Sequence, residues 1–245
     1  MFIDIEGRPC LVRSENVLQY VNSAGYANDF HAVRNVWATP QILGGAGMFI
    51  FTTYATLPLL TSVGSVDGSG EALMLRKAVS EGQEKTTLIR LLGIGDDAEM
   101  AGGLANPMVR RMLAGLGDRH RNLRGMTEEY LDLFAGVIAI SGIRMRAALE
   151  LVLEADDYHR YWRYMRYSLA LFGAELGDRE TVSDSCARFV ARHAGAGQRT
   201  RTYLAHLFAA YPEHTLACAD ALFPETRRVV ASTLAGELPA GWSTR

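Results

Sequence analysis

The sequence predicts an all-α protein. Apolar residues recur at helical spacing along most of the 245-residue chain. No segment shows the sustained alternation of apolar and polar residues that is typical of β-strands. Residues that cap helices stand before several of the periodic segments. We therefore expect one globular multi-helix domain over residues 1–245, with residues 1–13 as an N-terminal arm.

Composition excludes several classes of protein. Apolar residues make up 49% of the chain, charged residues 21%, and the net charge is −2, so no basic field is available to hold nucleic acid. The N-terminal region contains the uncharged run NVWATPQILGGAGMFIF (35–51) instead of a basic helix-turn-helix. Three widely spaced cysteines, Cys10, Cys186 and Cys218, predict free thiols in a reducing compartment. The N-terminal MFIDIEGRP has no apolar signal region, so we expect a cytoplasmic protein.

The first helices are predicted from their capping residues. Ser14 and Glu15 indicate a helix start, and Gly25 indicates its end. Asp29 is expected to cap a second helix, which should stop before Pro40. Both helices would present apolar side chains to a core.

An apolar segment follows, and it raises the question of a membrane. No charged residue occurs from 35 to 66. Several glycines, several threonines and Pro58 interrupt the run, which favours a buried helix over 41–57 and a break near Pro58 instead of a bilayer span. We expect no transmembrane segment, and peripheral contact with a membrane stays open.

The rest of the chain reads as further helices. The pattern predicts them at about 71–92, from Pro107 to the region of His120, and from Thr127 onward. Residues 144–173 are expected to form one long helix, followed by helices ending near 193, 210, 222 and 234.

His120 is the first candidate for a functional residue. Asn106 can cap its helix, and Val109, Met112, Leu113 and Leu116 form an apolar stripe whose next position is His120. A neutral imidazole in an apolar environment is a suitable ligand for a metal or for haem iron. The alternative is a core histidine that is hydrogen-bonded to a carbonyl group. Spacing alone leaves both interpretations open.

Five segments together resemble the MpaB / rubber-oxygenase (latex-clearing protein) family of haem-dependent, all-helical oxygenases. The resemblance covers about residues 30–240. It is carried by TYATLPLL (53–60), EKTTLIRLL (84–92), MVRRMLAGLGDRHRNLRGMTEEYLDLF (108–134), HRYWRYMRYSLALFGAEL (159–176) and LFPETRRVV (222–230).

This resemblance implies a haem b cofactor in a buried pocket between helices. His120 matches the family's iron-ligating histidine, and Lys85 and Thr86 match the last two members of its distal Arg-x-x-Lys-Thr motif. Leu116 and Phe134 would contribute apolar walls around the cofactor. The implied partners are O₂ and a lipophilic small molecule, and the implied reaction is an oxygenation, with oxidative cleavage of an alkene as one form of it.

Two positions depart from the family pattern. Gly82 stands where the distal arginine is expected, and Arg121 follows the histidine where alanine is typical. These departures favour an alternative, a diverged or haem-free member of the same fold. A further alternative is a non-enzymatic helical ligand-binding protein. The sequence leaves the oligomeric state open.

Overall fold

The computed structural model describes residues 13–37, 39–57, 101–122, 126–238 and 242. Over these residues the protein is all-α, as predicted, and no strand is found among them. The described helices are, in chain order, α1 (Val17–Val21), α2 (Tyr26–Val36), α3 (Pro40–Ala55), α4 (Pro107–Arg121), α5 (Glu128–Ala148), α6 (Ala155–Phe172), α7 (Arg179–His193), α8 (Gln198–Ala210), α9 (Pro212–Ala221) and α10 (Pro224–Thr233). Two short 3₁₀ turns occupy Ser14–Asn16 and Gly103–Ala105.

The described residues fall into two compact units. The first contains residues 13–37, 101–122, 126–140 and 152–185, and the second contains 39–57, 141–151, 186–238 and 242. The single domain over 1–245 stays a prediction. Most of the expected N-terminal arm, the expected helix at 71–92 and the break near Pro58 lie outside the described residues.

In the first unit, α6 packs against α2 and α4. Asp29 does not cap α2, because the helix begins earlier, at Tyr26, and Asp29 lies inside it with 1% of its surface exposed. The Asp29 carboxylate accepts hydrogen bonds from the Tyr20 hydroxyl at 2.8 Å and from Arg163 Nε at 2.7 Å. The predicted cap was wrong because a partner on α6, 134 residues away, neutralises the carboxylate inside the core.

In the second unit, α3 packs against α8, α9 and α10. It covers Pro40–Ala55, close to the predicted 41–57, and begins with the Thr39 hydroxyl accepting from the Ile42 amide at 3.2 Å and Pro40 in the first turn. Its GGAG segment is buried. A methyl group on Gly44 would lie 2.0 Å from His214 Nε2, so the glycine makes room for a side chain of α9. None of the described helices is both long enough and apolar enough to cross a bilayer.

The long helix predicted over 144–173 is wrong, because it is two helices. α5 ends at Ala148, and Glu150 adopts a left-handed backbone conformation with φ of 55°. The amides of Glu150 and Leu151 donate to the carbonyls of Ala147 and Arg146, which is the Schellman pattern of a helix C-terminus. Glycine usually marks this position, so a glutamate there gave no sequence signal.

Candidate functional site

The candidate site lies at the C-terminal end of α4. The helix starts as predicted, because the Asn106 side chain accepts from the Met108 amide at 2.9 Å and Pro107 occupies the first turn. Val109 and Leu113, from the predicted apolar stripe, are fully buried. The stripe carries His120 to the last turn of the helix, where its side chain is partly buried.

The imidazole of His120 has a defined hydrogen bond. Its Nδ1 lies 2.8 Å from the carbonyl oxygen of Leu116, one turn earlier. A carbonyl can only accept, so Nδ1 carries the proton and Nε2 holds the lone pair. Burial lowers the pKa of His120, and the positive charge of Arg119 lowers it further, while the bond to Leu116 opposes both. The imidazole is therefore neutral near pH 7.

Two aromatic rings pack against this imidazole. The ring centroid of Phe134, on α5, lies 4.5 Å from that of His120, and the ring of Phe172, on α6, lies 5.2 Å away. The two phenylalanine rings stack on each other at 5.3 Å with an interplanar angle of 9°. Three helices of the first unit thus meet at one histidine.

His206, on α8, tests how specific this geometry is. Its Nδ1 lies 2.8 Å from the carbonyl of Thr202, also one turn earlier, although the side chain is exposed. The hydrogen bond alone is therefore a common arrangement for a histidine in a helix, and it is also what the core-histidine interpretation predicts. Burial between two phenylalanine rings is what distinguishes His120.

The backbone of Phe172 is held at the same helix end. A methyl group on Gly117 would lie 2.0 Å from the Phe172 carbonyl oxygen, so α4 and α6 can approach this closely only at a glycine. Arg121 Nη1 donates to the same carbonyl at 3.5 Å, and its Nη2 donates to Asp118 at 2.5 Å. Arg121, which departs from the family pattern, thus binds the C-terminal end of α6.

A cavity of about 610 Å³ lies beside this helix end. Its polar lining consists of Arg121, Thr127, Glu128, Asp132 and Glu175, with Met126, Leu131 and Gly173 completing the wall. Burial raises the pKa of Asp132, and the negative charges of Glu175 and Glu128 add to this effect. His120, Leu116 and Phe134 do not line the cavity.

The predicted site residues are thus brought together in part. His120 contacts Phe134 through its ring and Leu116 through the carbonyl, whereas Lys85 and Thr86 lie outside the described residues. Sequence reasoning missed Phe172 and Gly117 as neighbours of His120. A glycine three residues before the histidine, on the same helix face, was the only local signal.

The His120 imidazole is suited to bind haem iron, whereas the lining of the neighbouring cavity is not suited to haem. A neutral imidazole that donates through Nδ1 is suited to bind iron through Nε2. The described cavity, by contrast, is lined by three carboxylates and one guanidinium, which disfavours the anionic propionates of haem. No group of three or more His, Cys, Asp or Glu side chains able to hold a metal ion occurs within the described ranges.

Comparison with protein-family models, curated proteins and solved structures finds no match to this chain. The resemblance to the rubber-oxygenase family therefore stays a prediction from the sequence motifs.

Proposed function

We propose that this protein is a cytoplasmic, haem b-dependent oxygenase that acts on a lipophilic small molecule. The observation that carries the proposal is the state of His120. Its imidazole is neutral, its proton is committed to the Leu116 carbonyl, and Nε2 retains the lone pair that would bind iron. The proposed cytoplasmic location is supported by Cys186 and Cys218, which are both buried and form no disulfide within the described part of the chain.

The other residues of the proposed site have distinct tasks. The Leu116 carbonyl orients the imidazole, and the Phe134 ring excludes water from one face of it. Lys85 and Thr86 are proposed, from the resemblance, to hydrogen-bond O₂ or move a proton. A haem held by His120 would supply iron that can bind and activate O₂.

Titration of haemin into the purified chain tests the proposed ligand. We expect a saturable, shifted Soret band in the wild type and its loss in His120→Ala. His206→Ala is the matched control, because it removes a helical histidine with the same hydrogen bond and should keep the wild-type spectrum. A His120→Ala protein with a wild-type spectrum and affinity would overturn the assignment.

The proposed reaction has its own test. Cleavage of an alkene by O₂ breaks one carbon–carbon double bond and places one oxygen atom on each carbon, giving two carbonyl products. Squalene is a suitable lipophilic probe, with carbonyl products detected by mass spectrometry. We expect Lys85→Ala and Thr86→Ala to retain haem, and Lys85→Ala to lower turnover about a hundredfold. Squalene that stays intact with a haem-loaded wild type would contradict this chemistry.

One observation favours the haem-free alternative. The cavity is lined by carboxylates, and His120 is not among its lining residues. In that case the protein binds or converts a small molecule without iron. A wild type that stays colourless after haemin titration, while remaining folded by circular dichroism, would select this alternative.

A further inference from the structure

We propose that Phe172 is a positioning residue, whose ring and carbonyl group together hold the His120 imidazole in one orientation. The significance for iron binding rests on the proposed function, whereas the effect on the imidazole itself does not.

Two aromatic rings pack against the His120 imidazole. Phe172 and Phe134 stack at 5.3 Å, and His120 lies against both, tilted by 54° and 45° respectively. A ring flip of the imidazole would exchange Nδ1 with a carbon atom and break the bond to Leu116. Two aromatic neighbours this close hinder that rotation.

Phe172 itself is anchored to the last turn of α4. Its carbonyl lies against Gly117 and accepts from Arg121, so the last turn of α4 contacts both the backbone and the ring of this one residue. α6 ends directly afterwards at Gly173, whose φ of +91° is left-handed. Glycine suits this left-handed turn, and a methyl group there, 1.6 Å from Arg121 Nη1, would displace the end of the arginine side chain.

Within the part of the chain that the structure describes, His206 lacks the aromatic neighbours that His120 has. Its bond to Thr202 matches the bond of His120 in length, but the side chain is exposed, and no aromatic ring contacts it among the described residues. Water can replace the Thr202 carbonyl as a partner, so its imidazole is free to change tautomer. The two histidines therefore form an internal comparison in which the rings are the difference.

Nitrogen-15 NMR of the imidazoles, in the haem-free chain at pH 8, tests the proposal. We expect His120 to show the single tautomer protonated at Nδ1, and His206 to show a mixture. Phe172→Leu should convert His120 to a mixture, and Phe172→Tyr, which keeps the ring, should restore the single tautomer. A wild-type His120 that shows the same mixture as His206 would overturn the proposal without any variant.

A pair of glycine variants tests the anchoring. Gly117→Ala should displace Phe172 and produce a tautomer mixture at His120. Gly115→Ala is the control on the same helix, because its new methyl group meets no atom within 4 Å and should leave His120 unchanged. A folded Gly117→Ala protein that keeps the single tautomer contradicts the anchoring, and so does a Gly115→Ala protein that loses it.

Haemin affinity separates this inference from the proposed function. We expect Phe172→Leu to weaken haemin binding by about 10- to 100-fold, the usual effect of removing a group that orients a metal ligand. If the wild type binds no haemin, the proposed function fails while the tautomer experiment still decides the role of Phe172. If haemin binds and Phe172→Leu leaves its affinity unchanged, the positioning role in iron binding is wrong.

Discussion

At the scale of the residue, Asp29 and Arg163 differ sharply in their exposure to water. The Asp29 side chain is 1% exposed, whereas the Arg163 side chain is 47% exposed. Arg163 contacts the carboxylate with two nitrogens, at 2.7 and 2.9 Å. Burial raises the pKa of Asp29 even though Arg163 and Tyr20 oppose the shift. The arginine therefore neutralises a carboxylate that water cannot reach, while water hydrates part of the arginine.

Removing either partner should have unequal effects. Arg163→Leu leaves a buried, unpaired carboxylate, and we expect it to lower the free energy of unfolding by about 3–5 kcal/mol at pH 7.5. Asp29→Asn leaves an arginine that can turn to solvent and keeps a partner for the Tyr20 hydroxyl, so its effect should be smaller. Urea unfolding measures both. Equal losses for the two variants would contradict the argument.

The loss in Arg163→Leu should also depend on pH. The folded-state pKa of Asp29 lies above its unfolded value and should rise further without the arginine, so the folded state binds the proton more tightly. Stability is then lost as the pH rises from the unfolded-state pKa of Asp29 to its folded-state pKa, and it is regained as the pH falls. We expect a smaller deficit at pH 5 than at pH 7.5. Arg228→Leu, which removes a 67% exposed arginine from its pair with Glu225, is the control and should show little effect at either pH.

At the scale of the element, the contact between α3 and its neighbours depends on glycines. Three ring atoms of His214 lie within 2.4 Å of the position that a Gly44 methyl group would occupy. The next glycine, Gly45, faces the end of the Met145 side chain, whose terminal carbon would be 2.2 Å away. His214 is buried and its ring is rigid, whereas methionine can adopt another rotamer.

Gly44→Ala should therefore destabilise the protein by about 1–3 kcal/mol, and Gly45→Ala by less. The double variant Gly44→Ala/His214→Ala should be more stable than the sum of the single changes predicts, because the clash needs both side chains. Gly115→Ala, in the open part of α4, should instead stabilise by up to about 1 kcal/mol. Thermal and urea unfolding measure these differences. Additive effects at 44 and 214 would show that the two residues do not contact.

At the scale of the whole molecule, two of the described helices contribute residues to both units. The boundary between the units falls inside α5, after residue 140, and inside α7, after residue 185. A helix is a cooperative structure, so loss of one unit should shorten helices on which the other depends. We expect one unfolding transition for the chain.

The tryptophans allow this cooperativity to be measured. Trp37 and Trp162 belong to the first unit and Trp242 to the second, and all three are buried. Trp242→Phe leaves reporters in the first unit alone, and Trp37→Phe/Trp162→Phe leaves one in the second. In each variant the fluorescence midpoint in urea should coincide with its own circular dichroism midpoint. Separate midpoints in either variant would show that the units unfold independently.

Local sequence correctly predicted helix starts where the capping residue lies next to the helix in the chain. Asn106 caps α4 as predicted, with Pro107 in the first turn. Thr127 caps α5, where its hydroxyl accepts from the Tyr130 amide at 3.3 Å. The errors at Asp29 and Glu150 have different causes. At Asp29 a distant arginine replaced a local cap, and at Glu150 a glutamate adopted a conformation that usually needs glycine.

The candidate site also has contacts that the sequence predicted and contacts that it did not. Helical periodicity alone places His120 one turn after Leu116, and the hydrogen bond between them follows from that spacing. Phe134 was predicted as an apolar wall and does contact the imidazole, although its role towards a cofactor stays a prediction. Phe172 lies 52 residues beyond His120 in the chain, and only packing of α6 on α4 at Gly117 brings the two together. Sequence by itself thus determined several helix starts and the face of α4 that carries His120, because these depend on neighbouring residues. Tertiary structure alone decided what surrounds that histidine, because contacts between distant helices depend on shapes that no local spacing encodes.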